Sequence, residues 1–139
     1  MITGNTHFAI ATHVLAALAL HTDRLVTSSE LATSVATNPA FLRAVMGRLR
    51  DAGLLVTKLG KGGGSALAQP AEQISLLDVF RATDGTARIT THDCGGSTCP
   101  VGRKVPAVLR RLEQTLDDAL ARELSAVHIS DIAAELQVS

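Results

Sequence analysis

Tryptophan and tyrosine are absent from this chain, and phenylalanine occurs three times in 139 residues. A core without large aromatics has to be built from Leu, Val, Ile and Ala, which suits packed helices better than a β-sandwich. An excess of either charge is also lacking, since 13 Lys and Arg balance 13 Asp and Glu. Nucleic-acid binding, if present, must then rest on a local basic face. No apolar run reaches membrane-spanning length, and no basic segment followed by a cleavable apolar stretch opens the chain. A cytoplasmic protein with no membrane partner is the expectation. Cysteine is scarce, with two in total. In a reducing compartment these suggest free thiols, a redox pair or metal ligands before a structural staple. Acid–base chemistry has no visible home: Asp117 and Asp118 are adjacent on a helix and point apart, so no enzyme is expected.

What is present concentrates in residues 27–68, TSSELATSVATNPAFLRAVMGRLRDAGLLVTKLGKGGGSALA. Before them, Asn5 or Thr6 can cap a first helix reaching about His21, with Phe8, Ala11, Val14, Leu15 and Leu18 on one stripe. Thr27, Ser28 and Ser29 offer caps for a second helix. The pairs Ser28–Leu31 and Ser29–Ala32 lack the acid of a capping box, although Glu30 suits the positive end of the helix dipole. A turn at Thr37-Asn38-Pro39 leads into a third helix running from about Pro39 to Ala52 and stopping at Gly53. Leu42, Val45, Met46 and Leu49 face the core in that helix. Ala40, Ala44 and Gly47 leave the other side bare, flanked by Arg43 and Arg50 on one edge and Arg48 on the other.

A weak strand from Leu54 to Leu59, a glycine turn through Gly60 to Gly64 and a return over Ser65 to Ala68 complete a helix–helix–hairpin order. This is the order of a winged helix-turn-helix, which places one helix in the major groove of DNA and a wing along the backbone. Five cations, Arg43, Arg48, Arg50, Lys58 and Lys61, stand against Asp51 alone over residues 38–61. The arginines can reach phosphates or base edges, and Lys58 and Lys61 lie where a wing meets phosphate. The glycine turn lacks the Gly-Lys-Ser/Thr ending of a phosphate loop, so nucleotide binding is set aside.

Beyond Pro70 the pattern predicts a short connector and a helix capped by Ser75 that buries Leu76, Val79 and Phe80 and ends near Ala82. A long helix spans about residues 101–124, with Val105, Leu109, Leu112, Leu116 and Leu120 spaced for one narrow seam. Such a seam predicts pairing with a second copy of the chain. A last helix capped by Ser130 would lie on the same dimer core. The expected fold class is mainly α with a small β wing. Residues 1–70 form the DNA-binding region, 71–100 a linking helix and cysteine loop, and 101–139 the dimerisation and C-terminal helices, all within one integrated domain.

Taken together, TSSELA, FLRAVMGRLRDAGLL, GKGGGSALA and QISLLDVFRATDG resemble the Rrf-two family of winged-helix transcription regulators, in the branch that lacks a full iron–sulfur cysteine set. The resemblance implies a homodimer on a partly palindromic double-stranded operator, usually as a repressor. It implies that Ser28 and Ser29 meet the DNA backbone, and that Asn38, Pro39, Ala40, Phe41 and Arg43 approach bases or phosphates. Cluster-binding members carry a wing arginine where this chain has Leu59, which a lysine cannot imitate in the minor groove.

The family's cluster-binding members use three cysteines in the loop where this chain has Cys94 and Cys99. Three readings stay open. Cys94 and Cys99 form a thiol switch, Cys99 being activated by the long helix that follows. Alternatively, Cys94, Cys99 and His92, with His7 or His13 of a partner, hold a metal or iron–sulfur cluster. Finally, the loop senses nothing. The five-residue spacing favours the first and last, so no cofactor is expected. A competing function for the whole chain is a winged-helix protein-interaction module without specific DNA binding.

Overall fold

The computed structural model describes residues 6–83 and 100–138. Helix α1 (Thr6–Ala19) buries Ile10, Ala11, Val14, Leu15 and Leu18, a three-and-four spacing that puts them on one side. It ends two residues before the expected His21, because the N–H groups of Leu20 and His21 already turn back to Ala16, Ala17 and Leu18 in a tighter final turn.

Helix α2 (Ser28–Val35) starts with a capping box that the sequence reading missed. Of the three caps expected, Thr27 is the one used: its hydroxyl accepts from the Glu30 N–H, and the Glu30 carboxylate accepts from the Thr27 N–H at 2.7 Å. The helix ends at Ala36, which adopts a left-handed conformation with φ 56° and donates to Ala32 O.

Helix α3 (Pro39–Asp51) is capped by Asn38, whose side-chain oxygen accepts from Ala40 N at 2.8 Å and Phe41 N at 3.4 Å. It buries Leu42, Val45, Met46 and Leu49 as the pattern predicts. Gly53, at φ 76°, takes the left-handed position just beyond the helix, and Leu54 N then bonds back to Leu49 O.

Strands β1 (Leu55–Lys58) and β2 (Gly64–Leu67) pair antiparallel, from Leu55 opposite Leu67 to Lys58 opposite Gly64. Val26 adds a bridge on the other edge of β2, exchanging two hydrogen bonds with Ser65 at 2.9 and 2.8 Å. The approach to α2 is thereby tied to the wing. A short 3-10 turn (Ala71–Gln73) leads to α4 (Leu76–Ala82), where Ser75 and Asp78 form a second capping box. Val79 and Phe80 are buried there, whereas Leu76 is only half-buried.

Helix α5 (Pro100–Ser125) is the longest element and contains no buried residue. It continues through Pro106, which cannot donate to the Gly102 carbonyl. Helix α6 (Ile129–Val138) begins before Ser130, so Ser130 is not its cap. Instead the Asp131 carboxylate accepts from His128 N at 2.8 Å. Within the chain this helix packs on α1, with Ile129 and Ala133 buried. Main-chain bonds from Leu76 N to Val127 O and from Ile129 N to Ile74 O fasten its start beside α4. The core thus joins α1, α2, α3, the strands, α4 and the start of α6 through Leu15, Leu31, Leu49, Leu55, Ile74 and Ile129.

Candidate nucleic-acid interface

The buried stripe of α3 packs against α1 and turns its opposite face outward. Ala40, Arg43, Ala44 and Arg50 are exposed on that face, and Gly47 is half-buried. A Cβ added at Gly47 would approach nothing closer than an Arg50 guanidinium nitrogen at 3.8 Å, so the strip is bare as well as small. Small residues let a helix backbone approach another surface closely, and flanking arginines suit phosphate or a guanine edge.

Not every residue proposed for DNA contact stands equally ready. The Asn38 oxygen accepts two helix N–H groups, so its lone pairs are engaged and only its amide N–H donors are left to read a base. Phe41 is half-buried and stacks on His7 with ring centroids 4.5 Å apart. Arg48 is also half-buried and reaches across to the Thr83 carbonyl at 3.5 Å. Thr83 is itself buried, with its hydroxyl donating to Val79 O and Phe80 O.

At the start of α2, Ser28 and Ser29 are exposed beside the Thr27–Glu30 capping box. Arg24 adds an ion pair to Glu30 at 3.0 Å. The backbone N–H of Thr27 and the Arg24 guanidinium together hold the Glu30 carboxyl below its usual range, so it is charged at neutral pH.

The wing is a tight glycine turn. Gly63 N donates to Gly60 O at 3.0 Å, and Gly60 and Gly62 have φ of 90° and 75°. Gly63 has a different reason to be glycine: a Cβ there would lie 2.1 Å from Lys58 O. Lys58 and Lys61 are exposed, and Leu59 between them is 86% exposed. Sequence reasoning noticed Leu59 only as the place of a missing arginine.

Cys94, Cys99 and His92 lie outside the described residues. His7 and His13, the suggested further ligands, lie against Phe41 and the Ser34 hydroxyl respectively. Among the described residues no group of three His, Cys, Asp or Glu side chains could hold a metal ion. With two cysteines in the whole chain, the donor set does not fit a cluster bound by three protein thiolates. No described helix is long and apolar enough to cross a membrane.

The chain is similar to known proteins. YwnA of Bacillus subtilis (strain 168), named as an HTH-type transcriptional regulator, is 31% identical over 129 residues, which span 92% of this chain and 95% of that protein. IscR of Cereibacter sphaeroides, also an HTH-type transcriptional regulator, is 29% identical over 79% of this chain and 71% of its own length. A crystal structure of a transcriptional regulator from Lactobacillus plantarum superposes with a TM-score of 0.81 at 26% identity, covering 96% of this chain and 91% of that one. CymR, the global cysteine regulator of B. subtilis, shares the fold, with a TM-score of 0.70 at 19% identity over 97% and 98% of the two chains. Residues 4–135 match the Rrf2 family, described as an iron-dependent transcriptional regulator. The chain belongs to the Rrf2 family of helix-turn-helix transcription regulators.

Proposed function

We propose that the protein is a homodimeric repressor that binds a partly palindromic operator with one α3 helix from each protomer. The observation that carries the reading is the pairing of an exposed, arginine-flanked α3 face with a long helix none of whose apolar residues is fully buried in its own chain. Val105, Leu109, Leu116 and Leu120 are half-buried along α5. Val101, Val108 and Leu112 are 66%, 49% and 47% exposed. Apolar residues at such spacing on a helix 26 residues long lose their contact with water if a second copy packs along them. A two-fold dimer then presents two α3 helices to two half-sites.

Arg43 and the Asn38 amide donors would read base edges beside Pro39, Ala40 and Phe41. Ser28, Ser29, Arg48, Arg50, Lys58 and Lys61 would hold the backbone. Cys94 and Cys99 supply a redox input: a peroxide would take two electrons and two protons from the thiol pair, closing a disulfide and leaving water. The test is selection of genomic fragments by the purified protein under reducing and peroxide-treated conditions. A common palindromic site is expected from the reduced protein and its loss after oxidation, with Cys94→Ser and Cys99→Ser insensitive to peroxide. Equal recovery in both states removes the redox input. No enriched site, with binding indifferent to salt, favours a protein-interaction module.

A further inference from the structure

We infer that Arg24 is an additional DNA-backbone contact, held on the seam between α2 and the wing by Glu30, whose carboxylate limits how much of the arginine's charge a phosphate meets. The inference rests on the reading of the chain as a DNA-binding regulator.

Position is the first argument. Arg24 lies two residues before Val26, which bridges Ser65 of β2. A Cβ on Gly64 would lie 2.7 Å from Val26 O and 3.0 Å from the Leu25 Cβ, so this segment presses directly on the base of the wing. Gly64 in turn pairs with Lys58. On its other side Arg24 meets the first turn of α2 through Glu30, next to exposed Ser28 and Ser29. Arg24 therefore sits between two parts already assigned to the DNA backbone, and its side chain is 45% exposed.

Donor accounting is the second. One terminal nitrogen of the guanidinium makes every contact, to Leu25 O at 3.3 Å and to the two Glu30 oxygens at 3.0 and 3.1 Å. Of the five N–H donors on a guanidinium, the two on the other terminal nitrogen and the one on Nε have no partner among the described residues. That is the fork with which arginine grips phosphate.

The third argument is that stability alone would not place a cation here. The N-terminus of a helix is its positive end, where an arginine is repelled. The α2 cap does not need it either, since Glu30 is already anchored by the Thr27 N–H at 2.7 Å and by the Thr27 hydroxyl. Glu30 orients and partly neutralises an arginine that the helix itself disfavours. An anion from outside would complete the set.

The experiment measures binding of the full chain to a random-sequence DNA duplex across a sodium chloride series, for the parent, Arg24→Gln, Arg24→Lys and Glu30→Gln, with thermal melts alongside. Glutamine can still close a capping box, so Glu30→Gln removes charge while keeping the cap. Arg24→Gln should flatten the slope of log K against log salt by about 0.9 for each Arg24 withdrawn from a phosphate. Arg24→Lys should restore most of that slope, and Glu30→Gln should bind more tightly at low salt than the parent. An Arg24→Gln slope equal to the parent's overturns the inference, and so does a loss of affinity that only follows a lowered melting temperature. A parent that binds the duplex without salt dependence removes the DNA-binding reading itself, and this inference with it.

Discussion

Ala36 holds the turn between α2 and α3 at φ 56°, a conformation that costs an L-residue about 1–2 kcal/mol. Glycine avoids that cost but gives up about 0.5–1 kcal/mol of chain entropy on folding. Ala36→Gly should therefore stabilise the protein by about 0.5–1 kcal/mol in urea or thermal unfolding, and a loss of stability would contradict the left-handed assignment. At Glu30 the prediction concerns pH. Its carboxyl is held below its ordinary value of 4.5 in the folded chain, chiefly by the Thr27 N–H and then by Arg24. The contribution is therefore fully present above that ordinary value and lost as pH falls through the lower folded one. The stability gap between the parent and Glu30→Gln should be seen at neutral pH and close in acid, so a gap that persists unchanged at low pH would exclude it. The capping box here was legible in principle. Thr27-x-x-Glu30 satisfies the pattern, and it was overlooked because Ser28 and Ser29 offered equally good caps one and two residues later.

Among the elements, α3 and the wing carry the DNA reading by different physics. In α3 the same periodicity that buries Leu42, Val45, Met46 and Leu49 leaves Arg43 exposed. Arg43→Ala should weaken operator binding by about 1–3 kcal/mol and relax base preference at one position. Unchanged operator affinity would mean that α3 enters the DNA in another orientation. In the wing, glycine is required by contact as well as by dihedral, as the Lys58 carbonyl beside Gly63 demonstrates. The helices and the hairpin could be read from spacing and turn residues. The engagement of the Asn38 oxygen, the Phe41–His7 stack and the reach of Arg48 to Thr83 could not, because each depends on where a side chain points after α1, α3 and α4 have packed.

For the whole molecule, the proposed assembly rests on α5. Since none of its residues is buried within one chain, a charge on its seam should leave the protomer folded. Leu112→Glu should turn a dimer into a folded monomer in sedimentation, and lower operator affinity by about 10²-fold or more as bivalent binding is lost. A dimer that survives this change would have to use another surface. The C-terminal helix shows how tertiary packing redirects an amphipathic element. Its apolar residues suit any apolar surface of matching shape, and main-chain bonds at Ile74 and Val127 lead it onto α1.

From sequence alone came the element order, the buried stripe of α3, the glycine wing and the family, because these depend on local periodicity, turn chemistry and motif order. The two-cysteine limit on any cluster is likewise a matter of composition. Only the tertiary structure decided that Val26 fastens the α2 approach to β2 and that Arg24 stands on that seam. It also decided that α6 packs on α1 while no residue of α5 is fully buried. These outcomes turn on contacts between residues far apart in the chain, which periodicity cannot report, since the same stripe can pack on any apolar surface of matching shape.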